Sequence, residues 1–145
     1  MKNVLRTFVA CWYLLGWMVH VYLAITSPQI YEVFGTTGLI PGYDQFWNNW
    51  IMPNITFWTI LLAAFELCVG LLLIYKGKWV KIGLVFSILF NGFLIQMGLG
   101  SETNTFWSDF LSNRLPNLIM VMLQFPLLWG TYYQSIIESI KSKIK

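Results

Sequence analysis

Long runs of apolar residues alternate with shorter polar connections along this chain, and four of the runs are long enough to cross a membrane. They occupy about residues 7–26, 55–75, 82–100 and 115–133. A helix needs roughly 20 residues to cross a hydrocarbon core about 30 Å thick, and its backbone satisfies its own hydrogen bonds in lipid. The pattern therefore predicts an all-α fold, specifically an integral membrane four-helix bundle.

Composition narrows the class of protein further. The 145 residues are 57% hydrophobic, 18% aromatic and 10% charged, which leaves too few charges for the surface of a water-soluble domain. The same figures exclude a disordered chain and a basic nucleic-acid-binding protein. The spans and their connections use almost every residue, so we predict a single transmembrane domain over 1–145. Its expected partner is the lipid bilayer, with no nucleic acid.

Basic residues are concentrated on one side of the four predicted spans. Eight of the nine lie there: Lys2, Arg6, Lys76, Lys78, Lys81, Lys141, Lys143 and Lys145. The other side carries Glu32, Asp44, Glu102 and Asp109 with one basic residue, Arg114. Cytoplasmic loops of membrane proteins carry the excess of lysine and arginine. We therefore expect a multi-pass plasma-membrane protein with both termini in the cytoplasm, and Arg114 beside Asp109 at the outer rim.

The first outer connection, residues 27–54, is too apolar for a free loop. Ser27, Pro28 and Gly35 are placed as the cap, the first-turn proline and the terminal glycine of a helix. Aromatic rings are typical of the headgroup level of a membrane. We therefore predict a short interfacial helix here. Whether the aromatic residues that follow form a lid over a pocket or an interfacial anchor stays open; the lid candidates are Tyr43, Trp47 and Trp50.

Small and polar residues recur along one face of each predicted span, which is typical of the interior of a membrane bundle. At 1.5 Å per residue from the outer boundary, His20 lies about 9 Å deep, Asn91 about 12 Å, Gln124 about 13 Å and Glu66 about 16 Å. These side chains form the candidate ligand-binding or proton-handling site. An acid at this depth costs at least about 2.5 kcal/mol unless it is protonated or paired. Glu66 therefore either serves such a site or makes a structural hydrogen bond.

The sequence supports no other kind of site. One histidine and one glutamate supply too few ligands for a metal, and no set of nucleophile, acid and base is visible. We therefore assign no metal ligand and no catalytic residue. Cys11 and Cys68 fall inside apolar runs and are expected to be small core residues, and Pro126 predicts a kink in the fourth span.

Residues 66–73, with the sequence ELCVGLLL, resemble the Glu-Leu-x-x-Gly-Leu-Leu-Leu segment of the DoxX-like family of small four-span membrane proteins. The order of a long span, a short helix, a tight basic turn and further spans is similar to that family. The resemblance implies an association with membrane redox systems and a quinone as the cofactor to consider. It also implies that Glu66 and Gly70 are functional positions, and it adds Gly70 to the pocket candidates.

Three functions are compatible with these features. The first is an accessory or binding subunit that holds a lipophilic molecule, a quinone or a lipid, in an outer-half polar pocket for a membrane redox system. The second is a non-enzymatic assembly factor, and the third is a small proton-coupled carrier. We expect no self-sufficient enzyme, although the chain suits a subunit of an oxidoreductase complex. Expected protein partners are another membrane protein or a second copy of this chain.

Overall fold

The computed structural model describes residues 2–36, 38–98 and 105–144, and every regular element in these ranges is helical. The α-helices are α1 (Lys2–Thr26), α2 (Tyr43–Phe46), α3 (Ile55–Ile74), α4 (Lys78–Met97), α5 (Phe106–Asp109), α6 (Leu115–Leu128) and α7 (Ile136–Ile144). A 3-10 helix spans Pro28–Gly35, and a 3-10 turn spans Met52–Asn54. Two π-helical turns, Trp47–Ile51 and Phe110–Arg114, precede α3 and α6.

Within the residues that the structure describes, three helical segments are long and apolar enough to cross a membrane. They are Lys2–Thr26, Tyr43–Ile74 and Lys78–Met97, with 25, 32 and 20 residues. They contain the first predicted span, all but the last residue of the second and most of the third, whose last two residues, 99 and 100, lie outside the described ranges. The short helix predicted after the first span is present as the 3-10 helix Pro28–Gly35.

The helix observed at the fourth predicted span is shorter than the sequence pattern predicts. The pattern predicts a span over residues 115–133, whereas α6 has 14 residues and ends at Leu128. At 1.5 Å per residue this helix is about 21 Å long, which is less than the thickness of the hydrocarbon core. The carbonyl of Leu127 accepts hydrogen bonds from the Tyr132 hydroxyl at 2.6 Å and from the Gly130 amide at 2.9 Å. These two bonds close the turn that ends the helix.

The four longest helices pack in a ring, α1 on α3, α3 on α4, α4 on α6 and α6 on α1. One apolar cluster fills the half of the ring nearer the chain termini and includes Val9, Tyr13, Leu73, Leu84 and Leu127. A second cluster lies at the other end and consists of Tyr31, Tyr43, Trp47, Ile51 and Met97. The connection between α1 and α3 therefore belongs to the packed interior of the molecule.

Large apolar side chains also cover the outside of the helices. Leu15, Leu71, Leu89 and Met122, one from each helix of the ring, are all exposed. Cys11 and Cys68 are exposed as well, so the prediction that they are core residues is wrong. Apolar character alone does not separate a core position from a lipid-facing one, because both are apolar in a membrane protein.

Two buried arginines hold the ends of neighbouring helices. Arg6 donates to the carbonyls of Leu73 at 2.6 Å and Ile74 at 2.9 Å, at the end of α3. Arg114 donates to the carbonyl of Ile95 at 2.5 Å, near the end of α4, and to the Asp109 carboxylate at 2.6 Å. The predicted proximity of Arg114 and Asp109 is therefore confirmed.

Candidate functional site

A cavity of about 1210 Å³ lies between α1, α3, α4 and α6, beneath the connection that joins α1 to α3. Most of its lining is aliphatic or aromatic. Representative lining residues from these elements are Trp12, Phe34, Trp47, Leu62, Phe93 and Ile119. Glu66, His20 and Asn91, three of the four predicted polar site residues, also line this cavity. The fold therefore brings most of the predicted polar layer to one place.

Glu66, His20 and Tyr31 form a chain of polar contacts along the cavity wall. The Nε2 atom of His20 lies 3.5 Å from Oε1 of Glu66. The Nδ1 atom of the same ring lies 2.5 Å from the Tyr31 hydroxyl. The second carboxylate oxygen of Glu66, Oε2, is buried and has no hydrogen-bond partner among the described residues. This oxygen is an unsatisfied acceptor packed against α1, an arrangement that is costly unless another group pairs with it.

Glu66 fits at this position because α1 carries a glycine opposite it. A Cβ atom built on Gly16 would lie 2.7 Å from Oε2 of Glu66. Gly16 and His20 are one helical turn apart on α1, so the same face supplies both the space for the carboxylate and its imidazole neighbour. The small and polar pattern of the first span thus corresponds to a physical contact with α3.

Asn91 belongs to a second polar cluster in the wall of the same cavity. Its Nδ2 atom donates to the Tyr13 hydroxyl at 2.9 Å and to the carbonyl of Ser87 at 2.8 Å. The Ser87 hydroxyl also donates to Tyr13, at 2.8 Å. Sequence reasoning missed Tyr13, although it precedes Gly16 by three positions and shares its helix face.

Tyr31 was also missed by the sequence analysis. It lies in the 3-10 helix, and its hydroxyl contacts His20 in the cavity wall. Burial raises the pKa of Tyr31 to about 12, and the nearby charge of Glu66 contributes to the rise. The hydroxyl of Tyr31 is therefore protonated at physiological pH.

Gln124 and Gly70 lie apart from the described lining of the cavity. Gln124 is fully buried, and its Nε2 atom donates to the carbonyl of Met120 at 3.0 Å on its own helix. A Cβ atom on Gly70 would lie 2.7 Å from Cδ2 of Leu14. The structure thus places Gln124 in the helix core and Gly70 at the close contact between α3 and α1.

The three aromatic lid candidates occupy different environments. Trp47 lines the cavity, and its indole nitrogen donates to the carbonyl of Tyr31 at 3.0 Å. Tyr43 is buried against Trp47, with ring centroids 5.7 Å apart. Trp50 is 71% exposed and is not among the described residues that line the cavity. Of the three, only Trp47 is placed to cover a molecule in the cavity.

Within residues 2–36, 38–98 and 105–144, no three side chains of His, Cys, Asp or Glu are grouped so that they could hold a metal ion.

No family model, curated protein or solved structure matches this chain. The resemblance to DoxX-like proteins stays a prediction that rests on the segment over residues 66–73.

Proposed function

We propose that this chain is an integral membrane protein that binds a lipophilic molecule in the cavity beside Glu66. The observation that carries the proposal is a cavity of about 1210 Å³ whose lining includes Glu66, a buried acid with one carboxylate oxygen that has no partner among the described residues. Binding sites for small molecules are typically apolar cavities with a few polar groups that orient the ligand. Here the apolar lining would hold the body of the ligand, and Glu66 with His20 would orient its head group.

The apolar residues of α1 that line the cavity support entry of the ligand from the lipid phase. Phe8, Trp12, Leu15 and Val19 line the cavity and are also exposed on the outer surface of α1. The wall of the cavity is therefore continuous with the apolar exterior of the molecule. A lipid or a quinone dissolved in the bilayer would reach Glu66 beside α1, without crossing the charged ends of the protein.

We also propose that the chain crosses the plasma membrane four times, with both termini in the cytoplasm. The fourth crossing would consist of α5, the π-helical turn and α6, which are consecutive segments of 4, 5 and 14 residues. Together they extend about 35 Å at 1.5 Å per residue, enough for a hydrocarbon core about 30 Å thick. The excess of basic residues at the end that holds the termini supports this orientation.

The resemblance to DoxX-like proteins extends the proposal to a biological role. In that role the chain is an accessory subunit of a membrane redox system, and it holds a quinone or a lipid for a catalytic partner. In this proposal the chain supplies a binding site rather than a set of reacting groups, since the polar side chains around Glu66 are amides, hydroxyls and one imidazole.

The substitution Glu66→Gln tests the proposal, because it keeps the size of the side chain and removes its charge. We expect about a tenfold loss of the co-purifying lipophilic molecule, since an interaction with a charged acceptor is lost. The measurement is mass spectrometry of organic extracts from the protein purified gently out of its native membrane. Glu32→Gln is the matched control, because Glu32 is exposed and does not line the described cavity.

Equal retention of the same molecules by the wild type and both variants would contradict the proposal. Loss in Glu66→Gln alone would support it, provided that both variants have the same unfolding temperature as the wild type. A co-purifying membrane protein without any small molecule would favour the assembly-factor hypothesis instead.

A further inference from the structure

Three asparagines line the cavity, and two of them, Asn91 and Asn117, direct the side-chain nitrogen to the protein and leave the oxygen free, whereas Oδ1 of Asn113 accepts from Asn117 at 3.2 Å. Nδ2 of Asn91 donates to the carbonyl of Ser87, and Nδ2 of Asn117 donates to the carbonyl of Asn113, each at 2.8 Å. A carbonyl oxygen can only accept a hydrogen bond, so these contacts identify which amide atom is the nitrogen. The Oδ1 atoms of Asn91 and Asn117 accept no hydrogen bond from the described residues.

The hydrogen-bond donors of the wall are largely engaged within the protein. Three of them donate to main-chain carbonyls: the Trp47 indole at 3.0 Å, the Thr59 hydroxyl at 2.8 Å and the Ser112 hydroxyl at 2.7 Å. The two nitrogens of His20 face Tyr31 and Glu66. The indoles of Trp12 and Trp58 remain, on side chains that are 59% and 39% exposed.

The polar atoms left for a ligand are therefore mainly acceptors. They are Oδ1 of Asn91 and Oδ1 of Asn117, contributed by α4 and α6, in the wall that also contains Glu66. A desolvated acceptor needs a donor, and a second acceptor brought close to it would leave both unsatisfied. Such a wall favours head groups that donate hydrogen bonds over head groups that only accept them, and its apolar lining favours ligands with an apolar body.

We propose that the molecule bound in this cavity carries a hydrogen-bond donor in its head group, a hydroxyl or an ammonium group. This inference rests on the proposed function and specifies the chemical class of its ligand. A long-chain alcohol, a hydroxylated lipid or a lipid amine would donate to the free oxygens of Asn91 and Asn117. An oxidised quinone offers two carbonyl acceptors and no donor, so it would bind this cavity less well than a ligand with a hydroxyl or an ammonium group.

A matched set of probes tests the hydrogen-bond direction. Hexadecanol, its methyl ether and a ketone of the same chain length have similar apolar bodies, but only the alcohol donates. We expect the alcohol to bind the full-length protein about tenfold more tightly than the ether or the ketone, because each leaves the free oxygens unpaired. Binding is measured by native mass spectrometry of the detergent-solubilised protein over a series of probe concentrations.

Two variants connect the preference to the free oxygens. Asn117→Leu removes one acceptor from the wall, and we expect it to reduce the ratio of alcohol affinity to ether affinity at least threefold. Asn49→Leu is the control, because Asn49 is exposed and is not among the described residues that line the cavity. In this control the ratio should equal that of the wild type.

The possible failures are distinguishable. Equal affinity for the alcohol and the ether, with loss of both in Glu66→Gln, would overturn the donor preference while the proposed function stands. Preference for the ketone would also overturn it, and would mean that Glu66 donates a proton to the ligand. Failure of all three probes to bind, together with no molecule in the native extract, would overturn the proposed function as well.

Discussion

Glu66 and Gly16 form the contact on which the candidate site depends. The carboxylate of Glu66 occupies the volume that any larger residue at position 16 would need, since a Cβ atom there would lie 2.7 Å from Oε2. The glycine therefore lets an acidic side chain lie between two closely packed helices while one of its oxygens stays unpaired. Gly70 serves a different purpose, because its missing side chain makes room for Leu14 in the contact of α3 with α1.

The substitution Gly16→Ala is expected to displace the Glu66 carboxylate and to reduce ligand retention as strongly as Glu66→Gln. A methyl group closer than 3 Å to an oxygen forces one of the two groups to move, at a typical cost of about 1–3 kcal/mol in folding free energy. Ligand retention and the unfolding temperature are measured together. Gly92→Ala is the matched control, since a Cβ atom there meets nothing within 4 Å. Full ligand retention by Gly16→Ala would show that the position of the carboxylate does not matter.

At the scale of elements, the ends of the helices in the ring are joined by polar side chains. Arg6 on α1 binds the last carbonyls of α3, and Arg114 binds carbonyls near the end of α4. A cation at a helix C-terminus interacts favourably with the helix dipole and satisfies carbonyls that have no intrahelical partner. Each arginine thus connects two helices where apolar packing alone would leave carbonyls unsatisfied.

Replacement of Arg6 with alanine is expected to destabilise the protein by about 2–4 kcal/mol, because buried carbonyls at the end of α3 lose a charged donor. The free energy of unfolding in detergent measures this effect. Lys2→Ala, an exposed change in the first turn of the same helix, should shift it by less than about 0.5 kcal/mol. Similar effects of the two changes would mean that Arg6 is not a structural cap.

Glu138 stabilises the start of α7, so the stability of this helix depends on pH. Glu138 and Ser135 exchange hydrogen bonds between side chain and main chain, and Lys76 donates to Glu138 at 2.9 Å. The hydrogen bond from Lys76 and the amide of Ser135 lower the pKa of Glu138 from 4.5 to about 2. A lowered carboxyl pKa means that the stabilisation is present above pH 4.5 and is lost as the pH falls towards 2.

We therefore expect the amide protection of α7 to fall between about pH 5.5 and about pH 2.5, after correction for the intrinsic exchange rate. The measurement is hydrogen exchange of the detergent-solubilised protein. In Glu138→Gln the protection should be low at both values and should change little between them. An equal fall in the wild type and in Glu138→Gln would assign the effect to another group.

At the scale of the whole molecule, charge and apolar surface are separated. Arg6, Lys76 and α7 meet at one end, as the bonds from Arg6 to α3 and from Lys76 to Glu138 show. Asp109 and Arg114 pair at the other end, beside the last turn of α4. Exposed apolar side chains cover the helices between the two ends. This distribution suits a protein that lies across a bilayer with its basic end in the cytoplasm.

Cysteine labelling tests this orientation. Single cysteines are introduced as Glu32→Cys, Lys78→Cys and Ser142→Cys, each at an exposed position, in a chain whose Cys11 and Cys68 are replaced with alanine. A membrane-impermeant maleimide added to intact cells should label only the cysteine at position 32. The other two should react only after the cells are permeabilised, because the proposed topology puts the basic end in the cytoplasm. Labelling of positions 78 and 142 in intact cells would reverse the proposed topology.

The sequence alone determined the helical class, the approximate limits of the first three apolar helices and the pairing of Asp109 with Arg114. Hydropathy depends on the transfer of each residue into lipid, which is a property that can be summed along the chain. The sequence also identified His20, Glu66 and Asn91 as a polar set, because the small and polar residues of an inward helix face recur at helical spacing. Apolar patterning did not separate the packed interior from the lipid-facing surface, so Cys11 and Cys68 were misplaced.

Only the tertiary structure decided how these elements meet. The rotation of each helix about its axis and the path of the connection between α1 and α3 follow from contacts between distant residues, which no local pattern encodes. These contacts place Trp47 inside and Trp50 outside, bring Tyr31 to His20, and set the cavity beside Glu66. They also end α6 at Leu128, where Tyr132 donates to the Leu127 carbonyl, instead of at the end of the apolar run.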